Sequence, residues 1–215
     1  MIYFTRQIER HLLNLTKTFP CVVLTGARQA GKTTLLRHLF PDHSFVSLDL
    51  PSEAAQAETD PENFFRRYRE PLIIDEIQYA PGLFRHLKRR IDQDRHAMGR
   101  FILTGSQKFV LMQNVSDSLA GRTAIAHLEN LSTSELSLDI SEDWSKILTR
   151  GFFPELWRVA DLDSHSFYSS YTATYLSMTP ACSASFWDWT QERYWRPPSS
   201  ERFGKLLFMR NSGNV

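Results

Sequence analysis

Gly26-Ala27-Arg28-Gln29-Ala30-Gly31-Lys32-Thr33-Thr34 follows the apolar run Cys21-Val22-Val23-Leu24-Thr25 and precedes a helix-like stretch that ends before Pro41. It meets the pattern G-x-x-x-x-G-K-[ST] at every fixed position. A chain of phosphates needs backbone N–H groups pointing inward from a curved loop, and glycine allows both the dihedrals and the close approach. Lys32 places a point charge on the β- and γ-phosphates, and Thr33 offers its hydroxyl to Mg²⁺. The following helix aims its positive N-terminal end at the same anion. All nine residues, 26–34, are therefore read as the phosphate cradle.

Outward from the loop, strand-like and helix-like segments alternate. Apolar runs predict strands over 21–25, 45–49, 72–75, 101–104 and 123–128. Ile8, Leu12, Leu15 and Phe19 recur at helical spacing, which predicts an amphipathic helix over 5–18, ended by Pro20. A second helix is expected over 32–40. Asp60-Pro61-Glu62 supplies an N-cap, a proline at the first helical position and an acid in the first turn, opening a helix through 68. Leu83, Leu87 and Ile91 mark one face of another. Such alternation implies a doubly wound parallel α/β sheet of five strands, helices on both faces, and a short helical C-terminal segment.

The run Pro71-Leu-Ile-Ile-Asp75-Glu76 ends in two adjacent acids. At the C-terminal edge of a parallel sheet Asp75 falls beside the phosphate loop, where its carboxylate suits Mg²⁺. Glu76 is the natural general base for an attacking water. Gln78 reads as an exposed loop amide, with a further polar contact at the site as the alternative. Ile102-Leu-Thr104-Gly105-Ser106 puts hydroxyls at another strand end, with Thr104 the better candidate to sense a γ-phosphate and Ser106 the second. Arg122 stands before the fifth strand, where it is a candidate finger on a neighbouring subunit's γ-phosphate. The cations from Arg85 to Arg100 are interleaved with Asp92 and Asp94, which reads as a solvated helix face rather than a nucleic-acid surface.

The chain has 215 residues, 42% hydrophobic and 23% charged, with a formal net charge of +1. That balance fits a soluble globular domain and calls for neither nucleic acid nor an anionic membrane as partner. Cys21 and Cys182 have no metal-ligand spacing, and Cys21 lies in an apolar run, so a reducing, cytoplasmic setting is expected. No segment reaches the roughly 20 apolar residues that a membrane span requires.

The wording Gly-Ala-Arg-Gln-Ala-Gly-Lys-Thr-Thr, with Ser47-Leu-Asp49, Leu72-Ile-Ile-Asp-Glu-Ile-Gln78 and Leu103-Thr-Gly-Ser106, resembles the prokaryotic AAA-type ATPases. It is similar, more narrowly, to those followed by a C-terminal domain of unknown function. Leu119-Ala-Gly-Arg-Thr123 and Gly151-Phe-Phe-Pro-Glu-Leu-Trp157 extend the resemblance over about residues 5–176. The resemblance implies an ATP-binding domain over 1–137 and the start of a second domain over 138–176. It implies Mg²⁺-dependent, slow ATP hydrolysis coupled to an unidentified protein partner, and leaves room for a homo-oligomer. A nucleotide-dependent interaction switch is the rival reading. A small-molecule kinase is weakened by the Asp-Glu pair, and a GTPase by the lack of Asn-Lys-x-Asp. Beyond 176 the periodicity dissolves, with Trp187, Trp189 and Trp195 around a Pro197-Pro198 pair. A shifted reading frame near 177, giving an aberrant, poorly ordered tail over 177–215, is the expectation there.

Overall fold

The computed structural model describes residues 3–106, 115, 118–138 and 144–177. The chain divides into two compact units, Met1–Leu162 and Asp163–Val215. Nearly the whole expected tail lies outside the described residues.

In the first unit the elements run α1 Glu9–Thr18, β1 Cys21–Gly26, α2 Lys32–Leu39, β2 Ser44–Ser47, α3 Pro51–Thr59 and α4 Pro61–Arg67. They continue with β3 Leu72–Asp75, a 3-10 turn Ile77–Tyr79, α5 Leu83–Gln93, β4 Phe101–Gly105, β5 Thr123–Leu128, α6 Trp144–Arg150 and α7 Pro154–Arg158. The five expected strands form one sheet in the order β2-β3-β4-β1-β5. Every pairing is parallel, so all strand C-termini end on one edge. In the second unit the described residues form α8 Ser164–Ser177, opened by Asp163, whose Oδ2 accepts from Ser166 N at 2.7 Å.

The continuous apolar runs are explained by burial on both sheet faces. Cys21 and Val23 of β1 join Leu72, Ile74, Phe101 and Leu103 in a core closed by Ala57, Phe64, Leu83, Phe84, Leu87 and Ile91 from α3, α4 and α5. Val22 and Leu24 alternate to the other face, with Ile73, Ile102, Ala126 and Leu128, under Leu12 of α1 and Leu35 and Leu36 of α2. Asp60 caps α4 as its sequence predicts, accepting from Asn63 N at 3.1 Å.

Three local readings need correction. β2 starts and ends earlier than expected, at Ser44–Ser47: Ser44 N already bonds Pro71 O at 2.9 Å, and the Leu48 N bond to Asp75 O at 3.0 Å lies just past the strand's end. Residues 51–59, given no element by periodicity, form α3 with a proline in the first turn. Gln78 is not an exposed amide: it is 7% exposed, drawn inward by the turn that buries Ile77.

Candidate nucleotide site

The loop between β1 and α2 curves through two left-handed residues, Gln29 at φ 62° and Gly31 at φ 94°. Gly31 occupies the N-cap of α2 with no side-chain capping bond and no acid in the first turn. The orphan N–H groups of that turn are thus left for an anion. Gly26 has a separate reason to be glycine. A Cβ there would stand 2.4 Å from Leu128 O, its register partner on β5.

Lys32 is buried, and its Nζ donates to Gly26 O at 3.0 Å and Ala27 O at 2.9 Å. Burial holds its ammonium below the ordinary lysine value, and the carboxylates of Glu76 and Asp75 oppose that shift. The cation therefore sits inside the loop that it is expected to serve.

Asp75 is 6% exposed and accepts from two hydroxyls: Thr33 Oγ1 donates to Oδ2 at 2.7 Å, and Thr104 Oγ1 to Oδ1 at 2.9 Å. The second contact follows from register, since Ile74 pairs with Leu103 and the next residues are Asp75 and Thr104. A Thr33 hydroxyl that donates its hydrogen bond to Asp75 keeps its lone pairs free for a cation. The donor set is all oxygen, from one hydroxyl and one carboxylate. It fits Mg²⁺ held jointly with phosphate oxygens and water. Among the described residues no group of three or more His, Cys, Asp or Glu could hold a metal alone.

Glu76 adopts φ 54°, ψ 46°, uncommon for a residue with a side chain. Its Oε2 accepts from the Gln78 side-chain amide, and from Ser106 N and Ser106 Oγ at 3.3 Å each. Glu76, Asp75, Lys32, Thr33 and Thr104 are thus brought to one edge. Arg122 is not. It precedes Thr123, which pairs with Cys21 at the start of β1, so it lies at the opposite edge of the sheet. Its guanidinium holds Asp92 of α5, Nε to Oδ1 at 2.7 Å and Nη2 to Oδ2 at 2.9 Å.

Two residues absent from the expected site border it. Arg6, 5% exposed, donates to Ala30 O in the loop at 2.9 Å and to Glu129 O after β5 at 2.7 Å. Its Nε lies 3.2 Å from Glu135 Oε2. Asp49, just past β2, is pushed above the usual carboxylate range by burial and by Glu76 and Asp75, while Arg28 opposes. Its only signal in sequence was the Ser47-Leu-Asp49 wording. Arg6 sits in a charged N-terminal stretch with no motif.

Residues 18–137 match a family model described as an AAA domain. Over 180 residues, 82% of the chain, the sequence is 33% identical to an uncharacterized protein of Mycobacterium tuberculosis and equally to one of Mycobacterium bovis. The chain spans 40% of the length of those relatives. Among solved structures, a Walker-type ATPase of Pyrococcus abyssi superposes with a TM-score of 0.55 at 17% identity, covering 85% of this chain and 76% of the other. That likeness concerns the fold. No helix among the described residues is long and apolar enough to cross a membrane. With more than half of its length in the matched domain, the chain belongs to the AAA-type P-loop ATPase family.

Proposed function

We propose that the chain binds ATP with Mg²⁺ at residues 26–34 and hydrolyses it slowly, in a cytoplasmic setting and on behalf of a protein partner. The observation that carries this reading is the shared carboxylate of Asp75, which ties Thr33 of the loop to Thr104 of β4 beside the buried Lys32. Bound Mg²⁺ would neutralise charge on the β- and γ-phosphates. Lys32 exchanges the Gly26 and Ala27 carbonyls for phosphate oxygens. The N–H groups from Gly31 onward hold the anion. Thr33 and Asp75 would hold the cation, and Thr104 fixes the Asp75 carboxylate through its hydrogen bond to Oδ1. Glu76 takes a proton from the attacking water. In an assembly of copies, Arg122 would reach a neighbour's γ-phosphate after leaving Asp92.

Calorimetry with ATP and Mg²⁺, paired with single-turnover hydrolysis, tests the reading. Lys32→Ala should weaken ATP by about 2–3 kcal/mol, the worth of a charge-assisted phosphate contact. Glu76→Gln should bind ATP as wild type does and lose roughly 10²-fold or more in rate. Unchanged affinity in folded Lys32→Ala sinks the loop assignment. Unchanged turnover in Glu76→Gln removes the base.

A further inference from the structure

The side chain of Gln78 is fixed in one sense. Its Nε2 donates to Glu76 Oε2. Turning the amide over would press its carbonyl oxygen against a carboxylate, two acceptors face to face, so charge settles which atom is which. Its Oε1 is then buried with no hydrogen-bond partner among the described residues. Buried acceptors are nearly always paired, so an orphan 93% buried beside a catalytic candidate marks where a donor arrives.

The neighbouring carboxylate is held lopsidedly. All three hydrogen bonds that the Glu76 carboxylate accepts among the described residues fall on Oε2, one from Gln78 and two from Ser106. Glu76 also keeps a left-handed backbone, which persists in a non-glycine residue only when its surroundings hold it there. The 3-10 turn supplies that hold, with Tyr79 N on Glu76 O at 3.1 Å and Ala80 N on Ile77 O at 3.0 Å. Ile77, fully buried, anchors the turn in the core.

We propose that Gln78 orients both the base and the water of ATP hydrolysis. Its amide nitrogen, with Ser106, pins Glu76 through Oε2 and presents Oε1 to the water. Its own carbonyl oxygen accepts the water's second hydrogen. The water oxygen bonds to the γ-phosphorus as the bond from that phosphorus to the β–γ bridging oxygen breaks. One water proton passes to Glu76 Oε1, the other stays on the new phosphate, and the leaving oxygen departs with ADP. The inference rests on reading Glu76 as the base, and its test separates the two.

Gln78→Met keeps length and volume but neither donates nor accepts, and Gln78→Glu sets an acceptor against Glu76. In the full 215-residue chain both should bind ATP within about threefold of wild type and lose roughly tenfold or more in single-turnover rate, a kcat effect without a KM effect. Ser106→Ala, on a half-buried residue, removes one donor from the same oxygen and should move the rate the same way. In a Glu76→Gln background, Gln78→Met should change the residual rate less than about twofold, because holding the water in line speeds attack only when a base is there to take its proton, so the two roles of Gln78 act through Glu76. A merely structural amide would give losses that multiply in the double variant, and that result overturns the proposal. So does a wild-type rate in Gln78→Met while Glu76→Gln is inactive. If Glu76→Gln itself turns over normally, the base reading falls first.

Discussion

The guanidinium of Arg6 donates to the carbonyl oxygen of Ala30 at 2.9 Å, and so ties the phosphate loop to the segment ahead of α1. The same group reaches Glu129 O and lies against Glu135, whose carboxylate also accepts from Gln7 N at 2.7 Å and Ser132 N at 2.9 Å. One planar cation thus sets the spacing between the loop, the end of β5 and the turn at Ser132. A loop whose carbonyls are held from behind keeps its N–H groups turned toward the anion.

Removing Arg6 leaves Glu135 charged with a side chain only 7% exposed. Breaking a buried pair from one side costs about 3–5 kcal/mol. Urea unfolding of Arg6→Ala should show a loss of that size, together with weaker ATP binding. Arg6→Lys should fall between, since a single ammonium cannot serve three acceptors in fixed directions. A loss within about 1 kcal/mol for Arg6→Ala would mean that Glu135 finds other partners.

Gly26 and Gly121 both have positive φ, 152° and 72°, but only Gly26 meets a neighbour, Leu128 O at 2.4 Å from a built Cβ. Alanine at 121 bears backbone strain alone, whereas alanine at 26 must also push β5 from the end of β1. Thermal melts should therefore show Gly26→Ala less stable than Gly121→Ala, by roughly 1–3 kcal/mol of overpacking. Equal melts would mean that β5 yields freely at Leu128.

Why the sheet was legible and parts of the site were not is clear at individual residues. The runs at Cys21, Leu72 and Phe101 are buried on both faces, so each is apolar without alternation and stands out locally. The loop and the acid pair depend on spacing within a few residues, which sequence shows directly. Residues 51–59 carried the same proline-and-acid opening as Pro61-Glu62, yet only Ala57 is fully buried there, and alanine gives a faint periodic signal. Gln78 read as a loop amide because no local pattern marks it as buried. A turn anchored by Ile77 carries it inward, and that depends on the tertiary core. Arg6 meets Glu129 across 123 residues, a separation that no local pattern announces.

Cys21 is a test of the strand core itself. It is fully buried, and burial pushes its thiol up to about 12. At pH 8 the thiolate fraction is on the order of 1 in 10⁴. Iodoacetamide followed by peptide mass spectrometry should leave Cys21 unlabelled in the native chain and label it in urea. Rapid native labelling would contradict the position of β1 between β4 and β5.

Arg122 brings the last prediction, because its present partner and its proposed one compete. Asp92 takes both arms of the guanidinium and is held below the usual carboxylate range by that contact. Asp92 is exposed and Arg122 half-buried, so solvent screens much of the attraction and releasing the pair costs less than breaking a buried one. A finger reaching a second copy's γ-phosphate would exchange one anion for another. On that reading Arg122→Ala lowers turnover about tenfold or more, melts close to wild type, and regains activity when mixed with Lys32→Ala chains. Asp92→Asn, which frees the guanidinium, then turns over at least as fast as wild type. Sedimentation with ATP and Mg²⁺ must show more than one copy. A monomer, or a rate untouched by Arg122→Ala, leaves Arg122 as the residue that fastens the start of β5 to α5.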